Sequence, residues 1–197
     1  MRDALKLVLL AAGGSSRMRG GDKLVEIVDG LPLIRRQALA LIDADIGPVA
    51  VTLPPDRPAR VEALSGLTLS MLMIPDATEG MSASLRAAAL WAEGSALLIV
   101  PADMPELTVE DFRKAAEAFD GTAPLRATAA DGTPGHPVIF PSDLLPGFSG
   151  LKGDEGARAI LMLHRPRLFA LPDRHATTDL DTPEAWAAWR LSRATNC

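Results

Sequence analysis

The chain has 197 residues, with 20 Lys and Arg against 25 Asp and Glu and a net charge of −5. That length fits one domain, and the acidic balance argues against general nucleic-acid binding, which needs a basic face, while leaving room for a local basic pocket. Hydrophobic residues make up 48% with five Phe, three Trp and no Tyr, so the core is aliphatic, and the single Cys197 excludes a disulfide framework and a zinc cluster and fits a reducing cytoplasm.

Arg2 and Lys6 precede the apolar "LVLLAA", but that stretch is short and "GGSSRM" makes a poor cleavage site, so no secretory signal is expected. No segment approaches the ~18 apolar residues of a membrane span. "ALKLVLL" reads as a first strand buried on both faces. Pro32 suits a helix start, and "PLIRRQALALIDA" has apolar residues at helical spacing. "PVAVTL" is a second strand, Arg57 to Leu64 a short helix, and "LTLSMLMI" a third strand. "SASLRAAALWAEG" is a helix with Ser82 as its expected N-cap and Gly94 past its end. "ALLIV" is a fourth strand. "TVEDFRKAAEAF" is a helix capped by Thr108, with Asp111 at the capping-box position. "PVIF" is a strand, "DEGARAILMLH" a helix with Asp154 and Glu155 at its start, and "RLFAL" a strand. "TPEAWAAWRL" is a last helix, with Thr182 as cap, Pro183 at its first position, and Trp186 and Trp189 on one core-facing side.

Strands alternating with helices predict an α/β fold, Rossmann-like, with a mostly parallel sheet and helices on both faces. One domain is expected over 1–197. The segment 121–156, richer in Gly and Pro, is expected to form a small lobe over the sheet. Ligands of such sheets bind at the carboxyl ends of the strands.

The first strand ends in "LAAGGSSRMRGGDK", at that edge. Gly13 and Gly14 let the backbone approach a ligand and permit positive φ. Successive backbone N–H groups in such a loop make an anion-binding concavity. Ser15 and Ser16 add hydroxyl donors, and Arg17 and Lys23 add charge. The G-x-x-x-x-G-K-[ST] and G-x-G-x-x-G patterns are both absent, which argues against a Walker NTPase and a nicotinamide-dependent oxidoreductase. The plain alternative is a glycine-rich surface turn with stray charges.

Five segments in order carry a resemblance: "LAAGGSSRMRGGDKL", "EGMSASLRAA", "VPADMPELT", "GHPVIF" with "LKGDEGARAIL", and "DLDTPEAW". Together they resemble the molybdenum cofactor cytidylyltransferases and their guanylyl relatives, from about Leu7 to Trp186. The resemblance implies the nucleotide-diphospho-sugar transferase-like fold. It also implies a Mg²⁺-dependent transfer of CMP from CTP to the phosphate of molybdenum-molybdopterin, releasing pyrophosphate. Nucleotide binding falls to Leu10, Ala11, Ala12, Gly13, Gly14, Ser15, Ser16, Arg17 and Lys23, and catalysis to Arg17, Lys23 and Asp103. "LAAGG" resembles the cytidylyl branch, where the Ala12 methyl would narrow the space for a purine. Met104 stands where the family often has Gln.

Asp103, two residues past "ALLIVP", has the oxygen chemistry that Mg²⁺ prefers. Asp179 and Asp181 alternate and so face the same way on an extended segment. Asp181 is a second metal ligand or a turn residue before the Thr182 cap. Gly80, Met81, Ser82 and Ser84 open a helix whose N–H groups suit an anion, and with His136 they are the acceptor-side candidates. His136 also reads as a structural histidine. The partners implied are CTP or GTP, a molybdopterin-type acceptor and a molybdoenzyme of the xanthine dehydrogenase type. Alternatives are guanylyl transfer, transfer to another small phosphate, and a cofactor carrier without turnover.

Overall fold

The computed structural model describes residues 4–154 and 156–195, and the side chains of Ser16 and Thr195 lie outside that description. Strand β1 (Leu5–Leu10) places Leu7, Val8 and Leu9 fully out of solvent, as a strand covered on both faces must. A hairpin follows, β2 (Ile27–Val28) and β3 (Leu31–Pro32), then α1 (Leu33–Ala44), β4 (Val49–Leu53), α2 (Pro58–Ala63), β5 (Ser70–Met73), α3 (Met81–Trp91) and β6 (Ala96–Pro101). The rest comprises α4 (Val109–Ala118), β7 (Leu125–Thr128), β8 (Pro134–Phe140), α5 (Arg158–Leu163), β9 (Arg167–Ala170) and α6 (Pro183–Thr195). No helix among the described residues is long and apolar enough to cross a membrane.

The main sheet has seven strands in the order β5-β4-β1-β6-β8-β7-β9. Strands β5, β4, β1 and β6 are parallel, β8 runs antiparallel to β6 and to β7, and β7 and β9 are parallel. The chain winds outward from β1 to β5, then crosses back through α3 to place β6 on the other side of β1. That reversal opens a crevice outside the carboxyl ends of β1 and β6. Ile34, Ala38 and Leu41 of α1 and Phe112 and Ala115 of α4 pack on one face of the sheet. Leu85, Ala88 and Ile160 of α3 and α5 pack on the other, against Val8, Ile99 and Val138. Trp186 and Trp189 meet edge to face and join Met18, Val28, Leu33 and Leu180 in a satellite cluster.

Several sequence expectations hold in detail. Thr108 and Asp111 form the reciprocal capping box of α4. The Thr182 hydroxyl accepts from the Ala185 N–H at 3.1 Å, capping α6. Others need correction. Gly80 (φ 102°), not Ser82, caps α3, and the carboxylate that accepts the Met81 N–H at 3.2 Å is Asp154. Asp154 therefore serves a distant helix rather than its own, and α5 starts later, at Arg158. The Glu155 part of that reading lies outside the described residues. Residues 121–156 supply two strands to the sheet, of which β7 has too short an apolar signal to read. The small hairpin turns on Asp29 (φ 52°) and Gly30 (φ 82°), an Asp-Gly pair that carries the usual signal for it.

At Gly80 two requirements coincide: a positive φ, and a Cβ position 2.2 Å from Asp154 Oδ1 and 2.8 Å from the Gly153 carbonyl carbon. Gly80→Ala is expected to push Asp154 from its cap and destabilise the fold by about 2 kcal/mol. Urea unfolding of the variant beside the parent checks this.

Candidate active site

The loop after β1 leaves the sheet stepwise. The Leu10 carbonyl accepts from the Ala102 N–H at 3.0 Å, and the Ala11 N–H donates to the Thr52 carbonyl at 3.2 Å. Ala12 is buried against Ile74 and Ala83, so its methyl faces packed side chains rather than the crevice. Gly13 and Gly14 are exposed, and a Cβ on either would meet nothing within 4 Å. Neither adopts the positive φ expected of it. The left-handed positions are Ser15 (φ 52°), Arg19 (φ 51°) and Gly20 (φ 96°).

What shapes this loop is Arg60, a residue without solvent exposure on α2. Its Nη1 donates to the Ala11 carbonyl at 2.6 Å and the Gly13 carbonyl at 2.8 Å. Nη2 donates to Ser15 Oγ at 3.0 Å and Asp22 Oδ1 at 2.8 Å, and Nε to Asp22 Oδ2 at 2.8 Å. Arg57 takes the Gly14 carbonyl at 2.9 Å. In a planar trans peptide the carbonyl points opposite to the next N–H. Drawing the carbonyls of Ala11 and Gly13 onto Arg60 therefore turns the N–H groups of Ala12 and Gly14 away from it. The N–H groups of Ala12 to Ser15 donate to no partner among the described residues. The Ser15 hydroxyl, expected as a free donor, is instead engaged by Arg60 and donates to Asp22 Oδ1 at 3.2 Å. The Ser16 hydroxyl lies outside the described residues. Burial pushes the Asp22 carboxyl up, but the hydrogen bonds and charge of Arg60, with the Leu24 N–H and Ser15, outweigh it and hold the pKa below the usual carboxylate value.

The charged centre lies at the ends of β1 and β6. Lys23 Nζ sits 2.5 Å from both Asp103 Oδ2 and Asp181 Oδ1, and Arg17 pairs with the other oxygen of Asp181. The Leu180 N–H donates to the Asp103 carbonyl at 3.1 Å, fastening the 179–181 segment to β6. So Arg17, Lys23, Asp103 and Asp181, far apart in sequence, meet. Burial pushes the Lys23 pKa down, but the charges and hydrogen bonds of Asp103 and Asp181 more than offset that and raise it. Burial also pushes Asp181 up, yet Lys23 and then Arg17 leave it lowered. Asp179 is raised, by burial first and then by the charges of Asp103 and Asp181. Asp103 Oδ1 is buried with no hydrogen-bond partner. Met104 is buried in the core below, an apolar role that leaves no amide at the edge.

No group of three or more ligating side chains gathers among the described residues. The donor set still fits magnesium, which keeps several waters and binds through one or two carboxylates plus substrate phosphates. Asp103, with its orphan oxygen, and Asp181 are such a pair.

The acceptor-side candidates fall on two sides of β6: Gly80 to Ser84 open α3 beside the first loop, where Ala83 packs with Ala12, and His136 lies across β6 on β8. Ser82 and Ser84 are buried, and the Ser82 N–H donates to the Gly153 carbonyl at 3.0 Å, so neither hydroxyl faces an open helix end. Met81 is exposed beside Gly80. His136 is half-buried on β8 with Nδ1 buried and unpartnered. Burial and then the Arg126 charge push its pKa down to about 4, against an Ile99 hydrogen bond and the Asp103 charge.

Residues 7–168 match the MobA-like NTP transferase domain. The chain belongs to this family. One relative in it, the purine catabolism protein PucB of Bacillus subtilis, is 30% identical over 125 residues, which is 59% of either chain; the match thus spans well under two thirds of that relative. Among solved structures, Rv0371c of Mycobacterium tuberculosis superposes with a TM-score of 0.84 at 22% identity, over 96% of this chain and 98% of that one. Rv0371c has also been solved with manganese, at a TM-score of 0.79 and 20% identity over 94% and 97% of the two chains. The CMP:2-keto-3-deoxy-manno-octonic acid synthetase complexed with CTP superposes at 0.76 with 15% identity, over 98% and 99%. At these identities the structures speak for the shared fold, a mostly parallel sheet of nucleotide-diphospho-sugar transferase type.

Sequence reasoning missed Arg60. It lies in a short polar helix with no motif around it, and only its partners, 38 to 49 residues away, reveal it. Arg60→Met would leave the Asp22 carboxylate buried and unpaired. It is expected to cost about 3 kcal/mol in urea unfolding, whereas the surface variant Arg19→Met is expected to cost well under 1 kcal/mol. His136 gives a pH signature. Its folded pKa of about 4 lies below the 6.5 of the free side chain, so the unfolded state takes up a proton that the folded state refuses. Stability therefore falls as pH drops from 6.5 toward 4, by about 3 kcal/mol in full. Asp22 acts lower, since its contribution is lost only below its free value of 3.8. The urea midpoint measured at pH 7.5 and 4.5 is expected to drop in the parent and to change much less in His136→Asn.

Proposed function

We propose that this chain is a cytidylyltransferase that moves CMP from CTP onto the phosphate of molybdenum-molybdopterin and releases pyrophosphate. The observation that carries the reading is the meeting of Lys23 with Asp103 and Asp181 beside a loop whose N–H groups face outward. Such chemistry needs positioning and charge neutralisation more than a covalent nucleophile. The free N–H groups of Ala12 to Ser15 bind the triphosphate. Arg17 and Lys23 release their carboxylates and neutralise charge on the departing pyrophosphate. Asp103 and Asp181 would hold Mg²⁺, which when bound supplies positive charge to the α-phosphate and the attacking oxygen. The manganese complex of Rv0371c is consistent with a divalent ion on this fold.

The choice of CTP rests on the resemblance of "LAAGG" to the cytidylyl branch, not on the Ala12 methyl, which is turned from the crevice, and is supported by the CTP complex of a structural neighbour. The acceptor and a recipient of the xanthine dehydrogenase type rest on the resemblance. The name of PucB, a purine catabolism protein, is in keeping with them. A cytoplasmic location is part of the same reading.

Thermal-shift titration with CTP, GTP, ATP and UTP, each with and without Mg²⁺, tests it. A ligand at a hundred times its Kd stabilises the folded state by about 2.7 kcal/mol. The expected result is a Mg²⁺-dependent shift largest with CTP. A larger shift with GTP would replace cytidylyl by guanylyl transfer, and no shift with any nucleotide would overturn nucleotidyl transfer in favour of a carrier.

A further inference from the structure

Most arginines of this chain answer a carboxylate: Arg17 meets Asp181, Arg60 meets Asp22, Arg86 meets Glu79 and Arg190 meets Glu26. Arg126 and Arg158, like Arg35, Arg165 and Arg174, form no ion pair with a carboxylate among the described residues. Arg126 is half-buried on β7, and its guanidinium donates only to the carbonyls of Gly135 at 3.1 Å and Pro134 at 3.5 Å. Arg158 opens α5, is exposed, and has no hydrogen bond or ion pair among the described residues.

The two share one face of the sheet. Arg126 pairs in register with Val138 of β8, and directly opposed residues project to the same side. Val138 packs with Ile160 of α5, so α5 lies over that face. Burial first, and then the charge of Arg158, disfavour the charged form of Arg126. Two guanidinium groups thus belong to the same face of the sheet, and neither meets an acid among the described residues, the reverse of what a purely structural pair needs.

A second observation points the same way. The buried Nδ1 of His136 lacks a partner. Strand β8 lies between β6 and β7, so His136 stands between the strand that ends at Asp103 and the strand that carries Arg126, and its ring feels the charges of both. In the strand order, β6 with Asp103 at its end separates the first loop on β1 from His136 on β8 and Arg126 on β7. The crevice therefore has cations on both sides of Asp103: Arg17 and Lys23 on one, Arg126 and Arg158 on the other.

We propose that Arg126 and Arg158 form a second anion subsite, across β6 from the first loop, that binds a phosphate monoester, the nucleophilic group of the acceptor. The role in transfer rests on the nucleotidyltransferase reading; the anion site itself does not. A phosphate dianion matches two positive charges and offers the oxygen pairs that guanidinium forks engage. Two arginines select it over a singly charged carboxylate.

The test uses the 197-residue chain without metal and inorganic phosphate as the probe, followed by calorimetry. Arg158 is exposed, so Arg158→Gln is expected to fold as the parent does, with an unchanged unfolding midpoint. Phosphate binding is expected to weaken about tenfold or more in Arg158→Gln and in Arg126→Gln. It should be largely restored in Arg158→Lys and remain measurable in Arg17→Gln. Phosphate binding that is lost in Arg17→Gln but kept in Arg158→Gln would overturn the proposal, because the probe would then see only the first loop. So would the absence of phosphate binding to the parent. CTP titration of Arg158→Gln separates the two readings. A parent that binds phosphate at this pair but no nucleotide retires nucleotidyl transfer and leaves the subsite standing.

Discussion

The Arg60–Asp22 pair is the constraint on which the rest of the site depends. A guanidinium out of reach of solvent is costly to bury unless its donors and its charge are answered. Here five hydrogen bonds reach two loop carbonyls, one hydroxyl and both oxygens of one carboxylate. The cost of burial thus becomes shape: the loop cannot relax without exposing the pair or leaving it unsatisfied. Because the carbonyls are drawn inward, the amides point outward, and a stretch of ordinary backbone becomes an electropositive surface. The glycines leave that surface bare, since a side chain at 13 or 14 would stand in the open space a ligand needs.

A second level of order follows from topology. Winding outward from β1 and back through α3 sets β1 beside β6, so the loop and Asp103 emerge together. The Leu180–Asp103 main-chain bond then brings Asp181 to the same point. Lys23 closes this network by standing between two carboxylates, which together raise its pKa against burial, while Lys23 and Arg17 lower that of Asp181 against burial.

Much of this is legible in the sequence, for physical reasons. Central strands covered on both faces appear as continuous apolar runs, and the α4 and α6 starts carry side-chain caps that announce themselves. Asp103 stands out because it follows a strand end and lies in a segment that carries the family resemblance, whereas Asp181 stays open between a metal ligand and a turn residue before the Thr182 cap. Illegible were features decided by distant partners. Ser82 has the chemistry of an N-cap, but Gly80 has the backbone freedom, and Asp154 supplies the missing acceptor from 73 residues away. The positive φ expected at Gly13 and Gly14 falls on Ser15 and Arg19 because Arg60 dictates the turn. Strand β7 is too short to show a period, and its insertion beside β8 is settled only by pairing.

The first loop is also walled by the last helix. Met18 packs with Trp186 and Trp189, Arg19 reaches Glu184, and Arg17 meets Asp181 across 164 positions. On a ribosome the loop emerges long before these partners exist. The nascent chain can lay down its central sheet while its crevice still lacks one wall, which closes only when α6 docks.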